Sequence, residues 1–136
     1  MPASLPNYGP LPRPESLEQA RETLKAERFE APQVDTVEFL ATEFTSVCPK
    51  TGQPDFGTVL IQYRPGSYCL ESKSLKFYLW AYRDTGAFCE ALAAKIADDI
   101  QYALEDAKHI KVTVTQNVRG GIALNTTAER WLSEEA

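Results

Sequence analysis

An α+β domain of order β-β-α-α-β-β, with two helices covering one face of an antiparallel sheet, is the fold class the sequence predicts. Three observations carry that expectation. Apolar and polar residues alternate from Asp35 and again from Lys108, as half-buried strands require. Residues 87–107 carry an apolar stripe at helical spacing. Proline and glycine punctuate the joins between these segments.

Five of the nine prolines fall in residues 1–14, a run that suits neither helix nor sheet and reads as an extended arm. From Pro14, PESLEQARETLKAERFE places Leu17, Ala20 and Leu24 on one face, with early acids and later bases, which predicts a short surface helix. Residues 1–34 are thus an arm with a helix, packing on its own domain or a neighbour, and residues 35–136 a single domain. DTVEFLATEF alternates Val37, Phe39 and Ala41 with Thr36, Glu38 and Leu40, a mostly strand-like pattern, and GTVLIQYRPG returns to β-branched and aromatic residues before Pro65-Gly66. The two form an antiparallel pair across the polar loop TSVCPKTGQPD. ESKSLKFYLWAYRD repeats at four residues (Leu75 and Leu79, Tyr78 and Tyr82), which favours a helix that Gly86 breaks. In the long helix, Phe88, Leu92, Ile96, Ile100 and Leu104 form the stripe, and Asp98 and Asp99 are expected on a solvated face. KHIKVTVTQNV reads as a strand, RGG as a tight reversal and IALNTT as the last strand.

Composition limits the function classes. The 136 residues hold 14 Lys+Arg against 19 Asp+Glu, a formal charge of −5, which argues against a broad phosphate-binding face but allows a local basic pocket. No apolar run approaches the ~18 residues of a membrane span, and no signal pattern opens the chain. One histidine and three cysteines without CxxC spacing fit neither a metal site nor a disulfide framework. A reducing, cytoplasmic setting is expected.

Candidate chemistry begins at Cys48 in the loop TSVCPKTGQPDF. Pro49, Gly52 and Pro54 can fold that loop so that Asp55 returns towards the thiol. Lys50 can favour the thiolate, and an adjacent acid can deliver protons to whatever the sulfur activates. Free cysteines are also common as small core residues, and the local pattern leaves both readings open. Glu90, near the start of the long helix, suits ring N–H and amine donors such as a guanine-like edge, or simply stabilises its helix. Lys73 and Lys76, three apart, project from one side of a helix, and with Arg119 before Gly120-Gly121 they can grip phosphates or form a solvated face. No GxGxxG or Walker A motif is present.

TSVCPKTGQPDF and ESKSLKFYLW, followed by FCE and RGG, resemble the NADPH-dependent 7-cyano-7-deazaguanine reductases (QueF type, queuosine pathway), in their short single-domain form. The similarity runs from about Val37 to Gly121. It implies a tunnelling fold whose subunits close through their sheets into rings, paired face to face, with a homo-decamer expected and active sites between subunits. It implies reduction of a nitrile to an aminomethyl group with two NADPH: Cys48 attacks the nitrile carbon to give a thioimide, and Asp55 protonates the nitrogen. By the same resemblance Leu70, Glu71, Ser72, Cys89 and Glu90 hold the substrate, and Lys73, Lys76 and Arg119 lie near the NADPH phosphates. Neither a metal, a membrane nor direct nucleic-acid binding is implied. Cys89 stands where the family usually carries histidine, and it cannot supply an imidazole's two hydrogen-bonding positions. Its sulfur is expected near Cys48, able to form a reversible disulfide, while Cys69 is expected on a packed strand face.

Three rivals share parts of this pattern. A tRNA-modifying amidinotransferase would use the thioimide with an amine in place of hydride, but ESKSLK and the acidic balance argue against it. A GTP cyclohydrolase on the same fold would want zinc ligands the chain lacks. A non-catalytic thiol or interaction protein would use Cys48 only as a redox-sensitive residue.

Overall fold

The computed structural model describes residues 12–133, so the proline arm up to Pro10 lies outside the described residues. The elements are α1 (Leu17–Ala26), β1 (Phe29–Glu30), β2 (Val37–Val47), β3 (Pro54–Arg64), β4 (Tyr68–Cys69), α2 (Ser72–Trp80), a 3₁₀ turn (Ala81–Asp84), α3 (Cys89–Leu104), β5 (His109–Arg119) and β6 (Ile122–Trp131). The four long strands form an antiparallel sheet in the order β2-β3-β5-β6, and β1 pairs with β4 as a short separate ribbon. The β-β-α-α-β-β order holds. Three boundaries differ from expectation: β2 runs past Phe44 to Val47, β3 starts at Pro54 and includes Asp55, and β6 runs past IALNTT to Trp131.

The core follows from strand parity. Side chains alternate across a sheet, so every second residue of β3 and β5 shares one face. In register, Val59 faces Val114, Ile61 faces Val112 and Tyr63 faces Ile110. All six are at most 1% exposed, and each such aliphatic burial is worth about 1.5–3 kcal/mol. Of the expected α3 stripe, Leu92, Ile96, Ile100 and Leu104 close over this layer at 1% exposure or less, whereas Phe88 precedes the helix as its N-cap and is exposed. Gly57 lets β3 and β5 approach closely, since a Cβ there would lie 1.9 Å from the Thr115 carbonyl oxygen. The hairpin between β5 and β6 turns on Gly120 and Gly121, both at positive φ, where side chains are disfavoured.

Helix α1 belongs to the same core. Ser16 caps it, accepting from the Gln19 N–H at 3.0 Å, and Ala20 and Leu24 are fully buried. Its anchor is a residue expected in solvent. Asp99 is 1% exposed, not solvated: it lies between Ile96 and Ile100 and turns into the helix–helix interface. One carboxylate oxygen accepts from Arg21 of α1 at 2.9 Å and Lys95 at 3.1 Å. The other accepts from the Tyr78 hydroxyl at 2.5 Å, which lies 2.6 Å from the Tyr82 hydroxyl. Burial, with the negative charge of Asp99 contributing, pushes both phenols well above their ordinary pKa, so they remain neutral donors. Asp98, by contrast, does face solvent and meets Arg130 at 2.8 Å.

Asp99→Asn removes the charge that Arg21, Lys95 and Tyr78 converge on. Leaving a buried network half-satisfied should cost about 2–4 kcal/mol. A fall of that size in denaturant-unfolding stability is expected; a loss below ~0.5 kcal/mol would show that α1 is held by apolar contacts alone.

Candidate active site

The β2–β3 hairpin presents Cys48. Its last register pair is Val47 with Pro54, so residues 48–53 form the loop, and Cys48 is half-buried there. The Cys48 N–H donates to the Gln53 carbonyl at 2.9 Å, and the Gly52 N–H donates to the Cys48 carbonyl at 2.9 Å. This curls the chain around the sulfur. The Thr51 side chain, followed by the backbone N–H groups of Thr51 and Lys50, hydrogen-bonds the sulfur and holds the thiol pKa below its ordinary value, against opposing effects of burial and the Asp55 charge. The expected help from Lys50 therefore comes through its backbone, not its ammonium group.

Asp55 reaches the same place by strand register rather than by loop folding. It pairs with Ser46 in the β2–β3 ladder and is 6% exposed. Its Oδ1 accepts from Arg119 Nη1 at 2.6 Å, and the other guanidinium nitrogen, Nη2, lies 3.3 Å from Gln116 Oε1. The first turn of α3 completes this end of the sheet. Val47 bridges Gly86, and the Ala87 N–H donates to the Val47 carbonyl at 3.2 Å, which ties the approach to α3 against the hairpin. Cys89 is buried, and its thiol donates to the Val114 carbonyl at 3.5 Å. Burial raises its pKa, opposed by a hydrogen bond from Thr126 and reinforced by the charges of Glu90 and Asp55. Glu90 is exposed beside it. Cys48, Asp55, Cys89, Glu90 and Arg119 thus gather at one end of the sheet. The three cysteines are free, and Cys69 is buried on β4, on the packed side as expected.

The remaining candidates lie elsewhere. Leu70 is buried, and its N–H donates to the Tyr63 hydroxyl at 2.9 Å. Tyr63 stands eight residues along β3 from Asp55, roughly 26 Å at the rise of an extended strand. Glu71 caps α2: its two carboxylate oxygens accept from the Lys73 and Ser74 N–H groups, each at 2.8 Å. Ser72, Lys73 and Lys76 are exposed, and among the described residues no ion pair is formed by either lysine. The candidates therefore fall into two half-sites on one chain, with Leu70 far along the sheet from Asp55 and Ser72 and Lys76 on a groove that reaches Phe44 and Thr45.

Between β2 and α2 lies a groove of about 350 Å³ whose walls include Phe44, Ser72, Lys76, Trp80 and Arg83. Trp80 and Arg83 were not singled out from sequence, although they continue the Lys76 stripe at four and seven residues. Thr51 was missed too; its signal was a hydroxyl three residues after the cysteine in a tightly turned loop. Among the described residues, no group of three or more His, Cys, Asp and Glu is placed to hold a metal ion.

The lowered Cys48 pKa has a direct readout. Cys48 should alkylate faster than buried Cys69 and Cys89, and Thr51→Val should move the pH midpoint of that reaction upward, because the lost hydrogen bond favoured the thiolate. Peptide mapping after iodoacetamide treatment over pH 6–10 measures both; an unmoved midpoint in Thr51→Val would remove Thr51 from the account.

Comparison with known proteins places this geometry. A family model described as QueF-like protein matches residues 54–134. A relative from Halorhodospira halophila, named NADPH-dependent 7-cyano-7-deazaguanine reductase, is 46% identical over 106 residues, covering 76% of this chain and 89% of its own length. A relative of the same name from Alkalilimnicola ehrlichii is 52% identical over 87 residues, covering 64% of this chain and 67% of its own. The crystal structure of the archaeosine synthase QueF-Like in the apo form superposes with a TM-score of 0.67 at 26% identity, over 72% of this chain and 95% of that one. The fold is accordingly the tunnelling fold that the resemblance implied, and the chain belongs to the QueF-like protein family.

Proposed function

We propose that the protein is an NADPH-dependent 7-cyano-7-deazaguanine reductase, converting the nitrile to an aminomethyl group in queuosine biosynthesis through a thioimide on Cys48. The relatives' names support the activity and the cofactor. The observation that carries the chemistry is the pairing of a low-pKa thiol with a buried carboxylate at the mouth of one hairpin, beside an exposed carboxylate on α3.

A nitrile is a poor hydride acceptor, and sulfur addition converts it to a better one. The Cys48 sulfur forms the S–C bond, one π pair of the nitrile becomes an N–H bond, and Asp55 delivers that proton. Glu90 accepts from the ring N–H and exocyclic amine of the deazaguanine, with Cys89 against the base. Leu70, Glu71 and Ser72 line the base pocket from the other half-site. NADPH, when bound, supplies the hydrides of the four-electron reduction. The residues present fit an anionic dinucleotide: Lys73 and Lys76 are exposed without acidic partners among the described residues, next to a groove lined partly by Trp80 and Arg83. Lys73 and Lys76 would hold the phosphates, with Arg119 in reach of the same anion from the hairpin end.

Because the half-sites lie at separate places on one chain, the complete site forms between subunits of a homo-oligomer, here taken as paired rings. Such an interface excludes water from the imine that precedes the second reduction. No described helix is long and apolar enough to cross a membrane, and we place the enzyme in the cytoplasm.

The archaeosine synthase likeness favours one rival, in which an amine attacks the same thioimide. Two measurements separate the readings. Mixing the protein with 7-cyano-7-deazaguanine should give a covalent adduct by intact mass, absent in Cys48→Ala, and substrate-dependent loss of NADPH absorbance. Asp55→Asn should lower turnover by roughly 10²-fold or more, with a smaller change in substrate affinity. Adduct formation without NADPH oxidation would refute the reductase and keep the thioimide.

The shared site has its own test. Cys48→Ala and Glu71→Ala chains, each inactive alone, should regain activity when co-assembled, since some interfaces then carry both intact halves. Mixed oligomers that stay inactive, with mixing verified by native mass spectrometry, would place the whole site within one chain.

A further inference from the structure

We infer that Arg119 is a positioning residue for Asp55, holding its carboxylate oriented for the Cys48 addition independently of any contact with NADPH; this rests on the reductase reading of Cys48 and Asp55.

The placement is built into the β5–β6 hairpin. Gln116 pairs with Leu124 and Arg119 with Ile122, so two residues of β5, Asn117 and Val118, stand opposite one residue of β6, Ala123. This bulge changes the parity of β5 by one. Without it, odd-numbered Arg119 would point away from the face shared by Ile110, Val112 and Val114. With it, the side chain joins Gln116 on the face that carries Asp55, and the glycine turn follows immediately. A solvated phosphate ligand would need no such re-aiming towards a buried acid.

The electrostatics agree. Asp55 is 6% exposed, and the charged groups around it are mostly negative or neutral. Glu90 is a carboxylate, Cys89 is held as a neutral thiol against the Val114 carbonyl, and the Asp55 charge itself opposes ionisation of Cys48. Among the described residues the one cation in contact with Asp55 is Arg119, at 2.6 Å on Oδ1. An ion pair of this kind needs its hydrogen bonds to offset desolvation, and a guanidinium supplies them with fixed geometry. The other oxygen, Oδ2, remains for the transferred proton.

The resulting step balances without an external acid. Asp55 Oδ2 takes the thiol proton as sulfur attacks the nitrile carbon. The S–C bond forms, one C–N π pair moves to nitrogen, and Asp55 returns the same proton to that nitrogen. Nothing is oxidised or reduced, and the carboxylate ends as it began, paired with Arg119.

Adduct formation in the absence of NADPH isolates this role. The rate is followed by intact mass after mixing wild-type or variant protein with 7-cyano-7-deazaguanine. Arg119→Gln should slow it by ~10–100-fold, with partial recovery in Arg119→Lys, which keeps the charge. In an Asp55→Asn background, Arg119→Gln should add less than ~2-fold, because the residue it acts through is gone. An unchanged adduct rate in Arg119→Gln, accompanied by a raised KM for NADPH, would overturn the inference and leave Arg119 a cofactor ligand. Fully additive losses in the double variant would also overturn it. No adduct in wild-type protein would overturn the reductase reading together with this one.

Discussion

One face of one strand organises the molecule. Asp55, Gly57, Val59, Ile61 and Tyr63 are alternate residues of β3, and strand geometry obliges them to share a side of the sheet. The middle of that row is the core, where Val59 and Ile61 are fully buried under α3. Its ends carry candidate site residues: Asp55 with Arg119 at one, and the Tyr63 hydroxyl holding the Leu70 N–H at the other. A slip of one residue would expose the apolar members and turn Asp55 away from Arg119 in the same movement. Stability and chemistry are thus enforced by the same register. The price of moving either end of the site is the core itself.

A second constraint runs perpendicular to the sheet. Asp99 joins α1 to α3 through Arg21 and to α2 through Tyr78, so the three helices share one buried charge. Lys25 and Arg28, at the end of α1 and just beyond it, meet Glu105, the one non-glycine residue at positive φ among the described residues, at 3.0 and 3.4 Å. The α1 helix and the residues just after it therefore hold the C-terminal half of α3. The first turn of the same helix carries Cys89 and Glu90, at its opposite end.

The element order was legible because periodicity is local: the switch from a two-residue to a 3.6-residue repeat is visible within a dozen residues. Cys48, Asp55 and the two lysines were legible for the same reason, each lying in a short motif. What escaped depends on contacts between residues distant in sequence. Asp99 looked solvated beside Asp98, because Arg21 lies 78 positions away and only tertiary packing makes it a partner. Arg119 looked like a free cation before a glycine turn; a bulge two residues long, which no composition rule marks, aims it at Asp55. Glu71 looked like a ligand for the base and is also a helix cap, since a carboxylate preceding a helix can serve its N–H groups. For Glu71 to meet a substrate, part of that cap must be shared with it or exchanged for it.

The cysteine at position 89 shows how the site can keep its charge balance with a thiol in place of an imidazole. A buried imidazole could gain a proton beside Asp55 and offset its charge from within the protein. A thiol cannot become a cation, and the raised pKa of Cys89 keeps it from becoming an anion, so it adds shape without charge. The compensating positive charge must then come from another element, and it comes from β5. Arg119 is 60% exposed while Asp55 is 6% exposed, so the pair spans the boundary between solvent and interior. Water reaches the guanidinium and lowers its desolvation cost, while the carboxylate stays in the drier environment that strengthens its interactions. The guanidinium thus holds one carboxylate oxygen, Oδ1, from the solvent side and leaves the other without a protein partner among the described residues, the arrangement the proposed proton exchange would use.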